Sequence, residues 1–406
     1  MQAALNGAPA SWRKVTLGEI YDIGSSKRVL QKQWKDSGVP FYRAREIVKL
    51  ARDGFVANDL FISEAHFEEL EKAKGVPQPG DLMVSAVGTL GACYAVQPGD
   101  RFYFKDASVL SFRPIAPIDP RFMQYAFLWH GLLDQVKSGE GATVGTFTIT
   151  RAKATEFLLP PLDEQKRIVA VLDQAFAALD RARAHAEANR ESCRELFGTL
   201  LEATLRRDAA GWKRLPLKSL GTTQTGTTPK ASEAESYGDF IPFIKPGDFK
   251  LDGSLELENQ GLSELGAKKA RTVPAGSALM VCIGATIGKA GFTETEIVTN
   301  QQINAVFPRE GISGEFLYYQ FITPSFQREV MRRSGQATLP IINKSKWSEI
   351  EVAFSSDLAT QARIVESLRA IRRHTEELVG RYDQNLADIA NLRQSLLQKA
   401  FSGELT

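Results

Sequence analysis

The sequence predicts an α+β protein made of two similar globules, each followed by a long helix. The two helices are expected to pair antiparallel as an intramolecular coiled coil with approximate two-fold symmetry. Two observations predict this. The 406-residue chain repeats itself once at an offset of about 196, and each copy changes character partway along. A Gly- and Pro-punctuated mixture of strand and helix signals gives way to an unbroken helical run.

The first copy opens on Ser11-Trp12-Arg13-Lys14 and Leu17, the second on Gly211-Trp212-Lys213-Arg214 and Leu217. Val39-Pro40-Phe41-Tyr42-Arg43 returns as Ile241-Pro242-Phe243-Ile244-Lys245, and Leu82-Met83-Val84-Ser85 as Leu279-Met280-Val281-Cys282. Gln165, Arg167, Ile168 and Val169 recur at Gln361, Arg363, Ile364 and Val365. Single matches would mean nothing, but these keep their order along the whole chain. Short β-prone runs and turn signals such as Gln78-Pro79-Gly80-Asp81 and Lys245-Pro246-Gly247-Asp248 mark residues 1–160 and 208–356 as mixed globules. Within them, 121–135 and 314–333 read as helix.

Residues 161–207 and 357–406 read as the long helices, rich in good helix formers. Ile168, Leu172, Ala175, Leu179, Ala182, Ala186, Asn189, Cys193, Leu196 and Leu200 alternate by four and three, the seam of a heptad. At the repeat offset the seam reappears as Ile364, Leu368, Ile371, Thr375, Leu378, Tyr382, Asn385, Ile389, Leu392 and Leu396. The small Ala175, Ala182 and Ala186 stand where the second helix has Ile371, Leu378 and Tyr382. A small-residue stripe packs without voids against a large-residue one, so the helices are expected to mate with each other. Roughly 40 residues at 1.5 Å make a rod of about 60 Å. Antiparallel pairing would put the globules at opposite ends.

Composition narrows the chemistry. With 43% hydrophobic and 24% charged residues, the chain is neither disordered nor collagenous. Cys93, Cys193 and Cys282 are far apart, without C-x-x-C spacing, which argues against a zinc site and suits a reducing, cytoplasmic location. Neither a signal peptide nor a membrane-length apolar run is visible. Catalytic motifs are missing, and none of His66, His130, His185 and His374 has metal-ligand spacing. The run from Gly284 to Ala290 mimics a phosphate loop but is one residue short and reads as a strand with a tight turn. No cofactor or metal is therefore expected in this chain.

A binding signal remains. The balance of 50 basic and 48 acidic residues means that a nucleic-acid surface must concentrate its charge locally. Basic residues cluster at Lys27-Arg28, Arg43 with Arg45, Lys245, Lys268-Lys269 with Arg271, and Arg332-Arg333. The amides Gln301 and Gln302, beside Asn300, are suited to adenine edges, and arginine to guanine. Two similar readers on a rigid spacer suit a target with two separated parts. A scaffold that touches no DNA and a stand-alone modification enzyme are the alternatives, the latter disfavoured by the missing motifs.

The run Leu158-Leu-Pro-Pro-Leu-Asp-Glu-Gln-Lys-Arg-Ile-Val169 resembles the start of the central helical region in specificity subunits of type I restriction-modification systems. The ending Gln394 to Leu405 is similar to their C-terminal region, and Leu279 to Gly288 and Thr299 to Ile303 to segments of their target recognition domains. Ser355-Ser356-Asp357-Leu358 stands in place of the second Pro-Pro-Leu lead-in. The resemblance implies a non-catalytic subunit whose two target recognition domains each read half of a bipartite, asymmetric sequence in double-stranded DNA. It also implies that the helix pair sets the gap and docks two modification subunits. These would bind S-adenosylmethionine and methylate adenine, while restriction subunits would bring ATP and magnesium.

Overall fold

The computed structural model describes residues 9–73, 75–138, 145–205, 212–230, 232–335 and 339–405. The chain divides into two compact units, one running to His185 and resuming at Asn385, the other spanning Ala186–Gln384. The boundary expected at 207/208 lies outside the described residues.

The first unit contains strands β1 (Arg13–Thr16), β2 (Tyr21–Gly24), β3 (Val39–Tyr42), β4 (Phe61–Ile62), β5 (Leu82–Ser85), β6 (Cys93–Ala95), β7 (Tyr103–Phe104), β8 (Val109–Pro114) and β9 (Glu156–Leu159). Its helices are α1 (Leu17–Ile20), α2 (Ala44–Asp53), α3 (Glu64–Lys72), α4 (Pro120–Ala126), α5 (His130–Lys137) and α6 (Ile149–Ala154). The long helix α7 (Leu162–Leu205) follows and continues into the second unit. Strands order as β2-β8-β5-β6, β4-β3-β7 and β1-β9.

The second unit repeats this plan with β10 (Trp212–Pro216), β11 (Gly221–Thr225), β12 (Tyr237–Ile244), β13 (Gly261–Leu262), β14 (Thr272–Val273), β15 (Ala278–Val281), β16 (Ala290–Phe292), β17 (Ile297–Thr299), β18 (Ile303–Pro308) and β19 (Glu351–Ser355). Its helices are α8 (Leu217–Leu220), α9 (Glu264–Lys269), α10 (Gly314–Phe321), α11 (Pro324–Arg333), α12 (Lys344–Ser348) and the long α13 (Leu358–Ser402). The orders β11-β18-β15-β16, β13-β12-β17-β14 and β10-β19 match those of the first unit, except that β14 adds a fourth strand beside β17. The parallel pairing of β3 with β7 recurs as β12 with β17. Duplication is therefore a property of the fold as well as the sequence.

Two expectations resolve in detail here. The run 314–333 is two helices, because Thr323 caps a fresh N-terminus on the Phe326 N–H and Pro324 follows at its first turn. The run 121–135 likewise breaks between α4 and α5. The Gly284 loop joins β15 to β16, with the Gly288 N–H returning to the Val281 carbonyl at 2.9 Å, so it is a hairpin turn and not a strand-to-helix phosphate cradle.

Each globule grips both long helices. In the first unit, Ile168, Leu172, Phe176 and Leu179 of α7 share one core with Leu397, Ala400 and Phe401 of α13. In the second, Leu201 and Leu205 of α7 share a core with Ile364, Val365 and Leu368 of α13. The recurrent glutamine has a structural explanation. Buried Gln165 accepts from the Asp119 N–H at 2.9 Å and donates to the Pro160 carbonyl at 2.9 Å. Buried Gln361 accepts from the Ser313 N–H and donates to the Ser355 carbonyl, also at 2.9 Å each. The missing Pro-Pro lead-in is replaced by Asp357, whose carboxylate accepts from the Ala359 and Thr360 N–H groups at 3.2 Å.

The helices pair antiparallel. Asp180 meets Arg393 at 2.7 Å in the first unit, and Arg190 meets Asp383 at 2.7 Å in the second. The seam needs correction. Ile168, Leu172, Leu179, Ile364 and Leu368 are buried and Ile371 and Tyr382 half-buried, but Leu196, Leu378 and Leu392 are 53%, 41% and 49% exposed. Asn189 and Asn385 are exposed too. The covered stripe moves over one residue, through Phe197, Leu201 and Leu205 on α7 and through Arg393, Leu397 and Phe401 on α13. A straight helix drifts about 20° per heptad against a 3.5 repeat, and four heptads amount to nearly one residue step.

Candidate nucleic-acid interface

The sheet registers identify equivalent places in the two units. Tyr21 pairs with Pro114 as Gly221 pairs with Pro308, so the segment after β2 corresponds to the segment after β11. The turn leading into β8, residues 105–108, corresponds to 299–302 leading into β18. In both units these two segments meet at the end of the parallel strand pair, forming a polar edge.

In the first unit the edge is cationic. The Lys27 N–H donates to the Tyr103 hydroxyl at 2.9 Å, and the Lys105 N–H to the Tyr42 carbonyl at 2.8 Å. The Ala107 N–H donates to Ser25 Oγ at 3.2 Å, in a turn where Ala107 holds φ +56°, a conformation a non-glycine rarely adopts. Lys27 and Arg28 are exposed, and among the described residues no carboxylate pairs with either.

In the second unit the positions equivalent to Lys27, Arg28 and 105–108 all hold neutral residues, Thr227, Thr228 and Thr299 to Gln302. The Thr228 hydroxyl donates to Gln301 Oε1. Asn300 Nδ2 donates to Gln302 Oε1, and Asn300 Oδ1 accepts the Gln302 N–H, both at 3.0 Å. Arg271 Nη1 donates to the Thr225 carbonyl at 3.1 Å. Gly226 is required here, since a Cβ would lie 2.2 Å from the carbonyl oxygens of Thr299 and Asn300. Thr227 Oγ1 and Thr299 Oγ1 are buried without a hydrogen-bond partner.

The structure thus brings Lys245, Arg271, Gln301 and Gln302 to one edge, since Ile244 pairs with Thr299 and its carbonyl accepts the Asn300 N–H at 3.0 Å. Lys268 and Lys269 stand apart on α9, paired with Glu264 at 2.7 Å and Glu233 at 2.8 Å. Arg43 and Arg45 are engaged as well. Both bind buried Glu46, and they reach Asp59 at 2.7 Å each. Burial pushes the Glu46 carboxyl up, but the hydrogen bonds from Arg43 and then Arg45 outweigh it and leave it below the usual carboxylate range. Arg332 and Arg333 both clasp Glu329, which is held down at about 2, chiefly by the hydrogen bond from Arg332. Sequence reasoning missed Lys105, Asp106, Thr227 and Thr228, for which the only signal is equivalence through the strand registers.

The fold is a duplicated α+β unit with paired long helices and an equivalent polar edge in each copy. The sequence profile of the family described as the type I restriction modification DNA specificity domain matches residues 9–188 and again 210–385, and the chain belongs to this family. It is 31% identical over 205 residues to the HindI specificity subunit of Haemophilus influenzae, covering 48% of this chain and 42% of that protein. Against the MjaIX specificity subunit of Methanocaldococcus jannaschii it is 28% identical over 149 residues, 36% of this chain and 34% of that one. The matches therefore span about two fifths or less of these relatives. The EcoBI specificity subunit of Escherichia coli aligns at 22% identity over 98% of this chain and 86% of its own. A chain solved in work on complex assembly and conformational transition of the type I system shares the fold at TM-score 0.79 and 20% identity, covering 98% of this chain and 99% of that one. The HsdS subunit from Thermoanaerobacter tengcongensis does so at 0.59 and 19%, covering 98% of each. The resemblance read from the sequence holds, and these relatives are named as specificity subunits, not catalytic ones. No helix among the described residues is long and apolar enough to cross a membrane.

Proposed function

We propose that the chain is the DNA-reading subunit of a type I restriction-modification complex, each globule reading one half of a bipartite, asymmetric target. The supporting observation is one scaffold presenting the same edge twice with different side chains. In one unit Arg28 offers donors suited to guanine and Lys27 a charge for the phosphate backbone, while in the other Gln301 and Gln302 offer paired donors and acceptors suited to adenine. Lys245 and Arg271 supply charge at the second edge, and Lys268 and Lys269, apart from it on α9, are expected to contact the DNA backbone only when their exposed ion pairs open, which costs little. Arg43 and Arg45 act with their carboxylates as a preset frame.

In this reading the paired helices set the gap between half-sites and dock two modification subunits. S-adenosylmethionine belongs to those subunits, ATP and magnesium to restriction subunits, and this chain holds none of them. Co-purification with the modification subunits, followed by mapping of methylated adenines, tests the assignment. The expected product is methylation at a bipartite sequence of fixed gap. Arg28→Ala is expected to relax one position of one half at a cost of about 1–3 kcal/mol. Lys27→Ala should weaken all sequences alike and flatten the salt slope by about one. A continuous target, or both halves changed by Arg28→Ala, would overturn it.

A further inference from the structure

Arg372, on α13 in the second unit, is only 9% exposed, yet among the described residues no carboxylate lies within ion-pair distance of it. Three rings enclose its guanidinium instead, Phe197 of α7 at 5.1 Å and Tyr318 and Tyr319 of α10 at 5.3 and 5.2 Å. Its Nη1 donates to the Tyr318 hydroxyl and to the Asp252 carbonyl. One side chain therefore joins both long helices, α10 and the turn that carries Asp252.

That turn leads to the polar edge. It is closed by the Lys250 N–H on the Ser254 carbonyl at 3.0 Å and pressed onto Tyr318, where a Cβ on Gly253 (φ +86°) would lie 2.2 Å from the ring. Its flanking Phe249 and Leu255 sit in the outer core with Ile244, Val281 and Ile303. The Asp248 carbonyl accepts the Glu256 N–H at 2.8 Å, while the Asp248 carboxylate accepts the Lys245 N–H at 2.7 Å. A continuous chain of bonds thus runs from Arg372 through the turn to Lys245, Ile244 and Asn300.

The Asp252 carboxylate acts on Arg372 only through space, and burying a cation with no carboxylate in direct contact is unfavourable where an apolar ring would fill the space. The equivalent position in the first unit is Phe176, which packs on Tyr125 at 5.2 Å and does just that. What the arginine adds is reach and a planar fork that stacks on rings while donating hydrogen bonds. We propose that Arg372 is a positioning residue for target reading, fixing the Asp252 turn and the polar edge of the second unit against the paired helices. This rests on the reading above, in which that edge meets DNA.

The test uses the full chain with its modification subunits, comparing methylation of cognate DNA with DNA altered in either half or with the gap changed by one base pair. Arg28→Ala first identifies the half read by the first unit. Arg372→Ala is expected to raise methylation of DNA altered in the other half, or in the gap, by about tenfold relative to cognate, while discrimination in the first half stays put. Arg372→Lys, which keeps the charge but not the fork, and Tyr318→Phe, which removes one acceptor, should fall between. If Arg372→Ala does not fold, those two variants carry the test. Equal slowing of every substrate, unchanged discrimination, or relaxation of both halves together would overturn the assignment. A wild type that methylates no bipartite site would instead overturn the underlying reading, so the two failures are distinguishable.

Discussion

At equivalent places the two units have exchanged a ring and a cation. In the first, Phe176 of α7 lies under Arg393 of α13 at 4.1 Å; in the second, Phe197 of α7 lies beside Arg372 of α13 at 5.1 Å. The repeat offset carries Phe176 to Arg372 and Phe197 to Arg393. Each contact therefore takes its ring from α7 and its cation from α13. The helices have diverged to complement each other and not themselves, because α13 against its own copy would set Arg372 facing Arg393. The Ala175-for-Ile371 exchange makes the same point in size.

The largest effects should separate the corrected stripe from the heptad. Leu172 and Leu368 are equivalent and fully buried, whereas Leu196 and Leu392 are equivalent and half exposed. Thermal or denaturant unfolding of Leu172→Ala and Leu368→Ala is expected to show losses of about 2–5 kcal/mol each. Leu196→Ala and Leu392→Ala should stay within about 0.5 kcal/mol. Large losses at Leu196 or Leu392 would restore the heptad seam.

Next come the exchanged pairs. Double-mutant cycles to alanine are expected to give a coupling of about 2 kcal/mol for Phe197 with Arg372 and about 0.5–1 kcal/mol for Phe176 with Arg393. The first cation is buried, while the second is one-third exposed and shares its charge with Asp180. Equal couplings would mean that burial does not set the difference between the units.

These cases also show what the sequence could carry. The duplication, the two long helices and their antiparallel pairing were legible because repeated residues and helix periodicity are local signals. The seam was legible over roughly the first half of α7, at Ile168, Leu172, Leu179 and Ala186, and at the start of α13, at Ile364 and Leu368. Further along, leucines at Leu196 and Leu392 suggested burial, while the covered positions held Phe197 and an arginine at Arg393, which hydropathy does not score as interior. At the candidate interface, Lys27, Arg28 and Gln301 were found, but not that they share a place. Asp106-Ala107-Ser108 and Asn300-Gln301-Gln302 have no residue in common, and only the pairing of β8 and β18 aligns them.

The smallest expected effect concerns acid. In the first unit Arg43 and Arg45 bind Glu46 and Asp59, where the second has Lys245, Asp248 and Asn259, the last donating to Asp248 at 2.7 Å. The Asp59 carboxyl is held low mainly by its hydrogen bond from Arg45, and Glu46 is low despite burial, as described above. A carboxylate whose folded pKa is depressed contributes its full stabilisation above its unfolded value and loses it as pH falls through the folded one. Stability held by this cluster should therefore decline from about pH 4.5 downward as the carboxylates take up protons, on the ordinary values for the two groups. Glu46→Gln is expected to flatten that part of the pH profile of unfolding, and Asp59→Asn to flatten it less, because Asp59 is solvent-exposed and screened. An unchanged acid limb in Glu46→Gln would mean that the arginine frame of the first unit adds nothing over the amide-bonded frame of the second.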